Sequence, residues 1–419
     1  MKLCLAAAAG LALTMAACAP STSSPQSAPS GGGAKTGTLK VWLFDEPNRA
    51  PKEKVVKEAI AEFTAAHPGA KVDLQYLAVE TRAERFKGAF NDPASAPDVV
   101  EYGNTDLPEY AAAGGLADVG PVVSTWSEGA GLTADAKATV TYQGTLLGVP
   151  WYLGVRALYY RTDVFGSLNL KPPTSIAELT SDARTIHSRK PDLFGIAVGG
   201  QYTYAAMPFV WDAGGDITSI DSAQSRAGLK AYTDLIAPDN CPPQNCADLT
   251  GGKTVDLFAS GKAAMGILGN FNRAAVDAGA ARGRYAVVPL PGRKPGSIAP
   301  AFAGGNNLGI MKNSQRPALA ADFLTLLAGR KYQAAMYDAM GNLPTLKTAG
   351  DAVAARDPFL KPFLDTIAAG TRFVPLNPGW GKVDAGAVLP DMIEKVATGR
   401  ATVDQATSEA AKQIKADLG

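Results

Sequence analysis

LGVPWYLGVRALYYR, residues 147–161, is the stretch on which the reading of the chain turns. Two aromatics, Trp151 and Tyr152, follow Pro150, then comes a lone Arg156, and Ala157-Leu158-Tyr159-Tyr160 has the apolar run of a buried strand. Pro150 has no N–H to give a central ladder and biases Val149 toward extended geometry. The start of the stretch is therefore expected to be a crossing segment rather than a strand interior. A flat indole and a phenol beside a guanidinium suit a ligand with apolar faces and polar edges, a description that fits a sugar. The bland alternative is that Trp151 and Tyr152 are core packing and Arg156 a surface charge.

The N-terminus bears on compartment. Met1-Lys2 precedes fifteen mostly apolar residues, 3–17, and then Cys18. A bilayer-spanning helix needs about 20 apolar residues, so residues 1–17 read as a signal peptide rather than an anchor. Ala16 and Ala17 before Cys18 resemble a lipoprotein signal, with Met15 where leucine is usual. That resemblance implies cleavage before Cys18, lipidation of its sulfur, and a mature protein held on the outer face of the cell membrane. Residues 18–37, rich in Ser, Pro and Gly, have almost nothing to bury and read as a flexible tether.

From residue 38 onward the chain is long enough for two domains. Its 40 basic and 39 acidic residues leave a net charge of +1 without a basic stripe, which argues against a nucleic-acid partner. Of four cysteines, Cys4 leaves with the signal and Cys18 takes lipid, leaving Cys241 and Cys246 in CPPQNC. Outside the cytoplasm such a pair reads as a disulfide, stabilising by about 2 kcal/mol in the chain-entropy picture. A metal site is the rival, but no CxxC pair and no nearby His accompany it. Two near-miss phosphate loops, at residues 31–36 and 251–254, lack a required glycine.

Strand and helix alternate from the start of the mature body. LKVWLF (39–44) reads as a strand running into Asp45 and Glu46, and a helix follows from Pro51 with Val56, Ala59, Ile60 and Phe63 inward. KVDLQYL (71–77), a helix over 80–90, and PDVVEY (97–102) come next, the last running into Asn104 and Thr105. This order predicts a mostly parallel sheet with helices on its faces, and ligands sit beyond the carboxyl ends of such strands. A second alternating series starts with a capping box at Ser175 and Glu178, and the residues 258–267 read as a strand. Two helices end the chain, the last opened by a Thr402–Gln405 capping box.

The motifs WLFDEPN (42–48), DVVEYGNTDLPEYAAAGGLADV (98–119), GVPWYLGVRALYYRTDVF (148–165), PPTSIAEL (172–179), GKAAMGILGNF (261–271), GGNNLGIMKNS (304–314) and GNLPT (341–345) carry a resemblance that runs over nearly all of the mature chain. In that order they resemble the extracellular solute-binding proteins of ABC importers, specifically the sugar- and oligosaccharide-binding, maltose-binding-protein-like family. The resemblance implies an α/β, two-lobed periplasmic-binding-protein-like fold, each lobe a mostly parallel sheet flanked by helices, joined by a multi-crossing hinge. Residues 38–150 with 263–312 are expected to form the N-terminal lobe, and 151–262 with 313–419 the C-terminal lobe. The crossings are expected near residues 148–152 and on either side of 263–312.

A sugar held between lobes needs stacking faces and a rim of donors and acceptors. Trp151, Trp211 and Trp380 are the stacking candidates, with Tyr152, Tyr202 and Phe271 behind them. Asp45 and Glu46 would accept hydroxyl protons; Arg156, Asn104, Thr105, Gln201, Asn272 and Asn306 complete the polar rim. Gly304 and Gly305 would let the backbone come close to the ligand. The partners expected are a carbohydrate, the permease subunits of an ABC transporter and, through lipid, the membrane; the protein is expected to act as a monomer. No cofactor, no metal and no catalytic residue is expected. A glycerophosphodiester or other polyol phosphate is the second reading, with Arg156 and Arg273 facing phosphate. A secreted glycosidase is the third, but adjacent Asp45 and Glu46 would point apart in a loop, and two histidines, His67 and His187, leave triad and zinc chemistry short of parts.

Overall fold

The computed structural model describes residues 35–46, 48–92 and 94–419. The expected signal segment, Cys4, Cys18 and most of the tether lie outside the described residues. Among the described residues no helix is long and apolar enough to cross a membrane.

One sheet has six strands, in the order Leu343–Pro344, Val149–Gly154, Gly304–Ile310, Val99–Gly103, Gly37–Asp45, Ala70–Ala78. Its strand–helix–strand start pairs in parallel, Gly37–Asp45 with both Ala70–Ala78 and Val99–Gly103. The strands near the hinge join it antiparallel. Side chains of Gly37–Asp45 alternate between two cores, as a strand covered on both faces requires. Leu39, Val41 and Leu43 pack with helices Arg49–Ala66, Pro317–Leu327 and Arg330–Met340, whereas Trp42 and Phe44 pack with Phe86, Tyr102 and Tyr110. The second sheet has three strands, ordered Met265–Gly269, Arg156–Arg161, Tyr285–Val288, and Phe194 and Ala197 bridge in parallel to its edge. The chain passes between the sheets three times: through Val155, between Val288 and Gly304, and after Pro344.

Three expectations are corrected. Pro150 lies inside a six-residue strand, Val149–Gly154, that is buried throughout. The register slips between Asn306, which faces Tyr152, and Asn307, which faces Pro150. A proline is tolerated in a central strand where a bulge frees its position from ladder duty. The lobe boundaries also differ. Met265–Gly269 pairs with Arg156–Arg161, so that part of 263–312 belongs to the second sheet. Helices Pro317–Leu327 and Arg330–Met340 pack on Arg49–Ala66, so they belong to the first lobe, not the second. Residues 258–267 are not one strand: helix Gly251–Ala259 runs into them and the strand starts at Met265.

The last helix, Val403–Leu418, has its capping box in place: the Thr402 hydroxyl accepts from Gln405 N–H while Gln405 accepts from Thr402 N–H. Cys241 and Cys246 are disulfide-bonded, with Cα atoms 6.0 Å apart.

Candidate functional site

Two cavities lie side by side between the lobes. The smaller, about 420 Å³, is walled by Tyr202, Tyr204, Phe302 and Trp380 and rimmed by Thr105, Gln201, Thr203 and Asp384. The larger, about 910 Å³, runs along the hinge past Glu46, Tyr152, Gly304, Gly305 and Asn306 to Met340, Asn342 and Phe359. Arg156, Tyr204, Phe271 and Asn272 line both, and so form the wall where the two chambers meet.

Arg156 opens the first strand after the crossing, and its guanidinium carbon lies 4.1 Å from the Tyr204 ring centre and 5.3 Å from that of Phe271. Its Nε donates to the Tyr202 hydroxyl at 3.2 Å. Among the described residues no carboxylate pairs with it, and it lines both chambers. Phe271 is 38% exposed, rare for a large apolar side chain in this protein. Room for its ring comes from two glycines: a Cβ at Gly269 would lie 2.5 Å from it and one at Gly154 3.1 Å.

The first-lobe floor is a buried ionic network. Lys52 and Glu101, both fully buried, pair at 2.8 Å, and Lys52 also donates to Glu46 and to the Phe44 carbonyl. The Tyr152 hydroxyl donates to Glu101 at 2.8 Å and Asn306 Nδ2 donates to Glu101 at 2.6 Å. Burial, reinforced by Glu101 and Glu46, pushes the Tyr152 phenol well above its ordinary value, so it stays a donor. In the second chamber Arg273 is held by Asp357 at 2.6 Å. Although burial works against it, bonds from Tyr337, the Phe359 N–H and Arg273 keep the Asp357 carboxyl below the usual carboxylate range.

Two Gly-Asn turns tie the crossings to this cleft. Asn104, after strand Val99–Gly103, donates to the Ala303 carbonyl at 2.9 Å. Asn270, after strand Met265–Gly269, accepts from Val155 N–H at 3.0 Å and donates to the Gly341 carbonyl at 2.6 Å. Both turns are closed the same way, by Asp106 on Gly103 N–H and by Asn272 on Gly269 N–H.

The expected site residues divide accordingly. Glu46, Thr105, Tyr152, Arg156, Gln201, Tyr202, Phe271, Asn272, Gly304, Gly305, Asn306 and Trp380 line the cleft. Trp151 does not: it is fully buried in the first-lobe core, its ring under the Lys52 ammonium at 5.3 Å. Trp211 packs on Phe302 inside the second lobe. Asp45 is exposed and pairs with Arg49 instead. The Asn104 amide is turned to Ala303 as a clamp, not to a ligand. Gln201 reaches the cleft, but its amide donates to Glu394 at 2.5 Å. Gly305 is required for a reason other than ligand approach: at φ +135° its Cβ would sit 2.2 Å from the Tyr152 carbonyl oxygen. Tyr204, Phe302, Lys52, Glu101 and Asn342 were not singled out from sequence. Lys52 had a signal, since it lies four residues before inward-facing Val56 on the same helix face. Tyr204 had one too, two residues from Tyr202 in QYTY.

A family profile described as bacterial extracellular solute-binding protein matches residues 47–334. The chain is 27% identical to the diacetylchitobiose binding protein DasA of Streptomyces coelicolor, covering 98% of this chain and 96% of that protein. The sugar-binding protein MalE of Xanthomonas citri shares the fold, with a TM-score of 0.80 at 23% identity, covering 91% of this chain and 97% of that one. A Thermus thermophilus maltotriose binding protein, solved with maltotriose, superposes with a TM-score of 0.73 at 22% identity, covering 91% and 100%.

Proposed function

Because the chain belongs to the bacterial extracellular solute-binding protein family, we propose that it captures a sugar or oligosaccharide between its lobes and delivers it to the membrane permease of an ABC importer, without chemical turnover. The carrying observation is the wall where Arg156 lies between Tyr204 and Phe271, with Trp380 across the smaller chamber. Ring faces stack on the apolar CH faces of a pyranose, while guanidinium, amide and carboxylate groups meet its hydroxyls. The names of the relatives, a diacetylchitobiose binder and a maltotriose binder, support that ligand class.

The phosphate reading needs two arginines, and Arg273 is already ion-paired with Asp357. The glycosidase reading needs two carboxylates flanking one bond, and Asp45 faces Arg49 while Glu46 meets Lys52. Both observations favour a neutral ligand that is bound and released unchanged. A ligand touching both lobes binds the closed form better and shifts the population toward it; the closed form is what a permease would recognise. Lipid on Cys18 would keep the loaded protein at the membrane surface. The test is a thermal-shift screen against mono-, di- and trisaccharides and against glycerophosphodiesters. A saccharide at 100 times its Kd should stabilise by about 2.7 kcal/mol; stabilisation by phosphodiesters alone would reverse the choice of ligand class.

A further inference from the structure

We propose that Asn104 and Asn270 are positioning residues that hold the lobes together around a ligand, one amide reaching from each lobe to backbone of the other. The role rests on the capture reading above and concerns the angle between the lobes rather than ligand contact. The lobes touch in this structure. Helix Leu107–Ala112 of the first packs on helix Trp380–Ala385 of the second, and a Cβ on Gly381 would lie 2.5 Å from a Glu109 carboxylate oxygen. The bonds that span the lobes here are therefore bonds of the shut form.

Both amides are buried and span the lobes in the same way. Gly103-Asn104-Thr105-Asp106 follows a first-lobe strand, and Gly269-Asn270-Phe271-Asn272 follows a second-lobe strand. In each turn the fourth residue accepts from the glycine N–H, which fixes the turn and aims the asparagine. Asn104 Nδ2 donates at 2.9 Å to the carbonyl of Ala303, whose own N–H donates to the Arg372 carbonyl of the second lobe. Asn270 Nδ2 donates at 2.6 Å to the carbonyl of Gly341, which joins helix Arg330–Met340 to the first-sheet strand Leu343–Pro344. Its Oδ1 takes the Val155 N–H, so the same side chain also holds the first crossing. Gly341 has a φ of +72°, and a Cβ there would lie 3.1 Å from the Asn270 carbonyl oxygen, so glycine suits this close approach of the lobes.

Asn104 lines neither chamber, and Asn270, which borders the larger, has both polar atoms of its side chain spent on backbone. Their neighbours Thr105 and Phe271 do line the cleft. Ligand contact and lobe contact thus share one four-residue turn in each lobe. Parting the lobes breaks both amide bonds, so each bond favours the shut form and slows escape of what it encloses.

The experiment measures association and dissociation rates on the full chain, with diacetylchitobiose, maltose and maltotriose as probes, for wild type, Asn104→Asp and Asn270→Asp. Aspartate keeps the shape and the Oδ1 acceptor but sets an oxygen against the carbonyl where the amide donated. Each variant should release sugar roughly fivefold faster, the worth of one neutral hydrogen bond, with the association rate and the number of sites unchanged. A fault in folding alone would lower the number of sites and leave the release rate as it was. Should either aspartate variant fail to fold, Asn104→Ala, which buries no charge, gives the same readout. Release at the wild-type rate, or a loss confined to the association rate or the number of sites, would overturn the role while leaving sugar binding intact. A wild type that binds none of these probes, nor any saccharide of the thermal-shift screen, would instead overturn the sugar reading, and this inference with it.

Discussion

Lys52 Nζ lies 2.8 Å from Glu101 Oε2, with neither side chain exposed to solvent. The pair lies under the cleft, where Glu101 also accepts from Phe44 N–H, Tyr152 and Asn306. A buried pair of this kind is weak evidence for stability by itself, since desolvation offsets attraction. Its consequence here is positional. Asn306 and Tyr152, which line the larger chamber, are oriented by it.

Removing one partner leaves an uncompensated buried charge. Lys52→Ala should cost about 3–5 kcal/mol, read by urea unfolding, and should weaken saccharide binding in whatever fraction stays folded. A loss under about 1 kcal/mol, the range of exposed pairs, would mean that water reaches Glu101.

At Arg156 a planar group is required, because it stacks on Tyr204 and Phe271 while bonding Tyr202. Lysine keeps the charge but loses the fork and the stacking. Arg156→Lys should therefore weaken binding by roughly tenfold, about 1.4 kcal/mol, with little change in melting temperature. Unchanged affinity by calorimetry would remove Arg156 from the ligand's contacts.

Gly305→Ala should be poorly tolerated. The left-handed φ of +135° and a carbonyl 2.2 Å from the added Cβ act together. Backbone strain of this kind is worth about 1–3 kcal/mol before the clash, so thermal unfolding should shift down by several degrees. An unshifted melting curve would mean that the crossing strand repacks freely.

Burial, with Glu178 adding repulsion, raises the Asp182 carboxyl to about 6. The folded state therefore binds this proton more tightly than the unfolded chain. The stability it contributes is present below the unfolded value near 3.8 and is lost as pH rises through about 6. Asp182→Asn should raise stability at pH 7 relative to wild type and leave it little changed at pH 4, as measured by denaturation at both.

The Cys241–Cys246 loop buttresses the cleft-lining turn before Tyr202, since Gly200 N–H donates to the Cys246 carbonyl and Gln201 N–H to that of Leu249. Replacing both cysteines by serine should cost about 2 kcal/mol by the loop-entropy argument and loosen Gln201 and Tyr202. Unfolding with and without reductant checks the first part, and saccharide affinity checks the second.

How much of this was legible in sequence varies with range. The parallel start of the first sheet followed from local alternation, because strand and helix periods are visible within a dozen residues. Which sheet Met265–Gly269 joins was not, since its partner Arg156–Arg161 lies over a hundred positions away. Trp151 and Trp380 are both buried, each in the core of its own lobe, but only Trp380 borders a chamber. Trp151 is roofed by Lys52, supplied by a helix far upstream, while Trp380 borders a chamber. Composition cannot separate a ring under the floor from one that forms the wall. Asn270 and Asn104 repeat one turn in the two lobes, GNFN and GNTD. Their role as clamps emerges only when the crossings are placed beside them.

The central claim is that the facing lobes hold a neutral saccharide against Arg156, Tyr204, Phe271 and Trp380. Titration of the preferred oligosaccharide by calorimetry at low and high salt tests it most directly. Saturable binding should appear with a negative heat-capacity change from covered ring faces and with affinity nearly independent of salt. Binding confined to phosphorylated ligands, with affinity that falls steeply as salt rises, would contradict it.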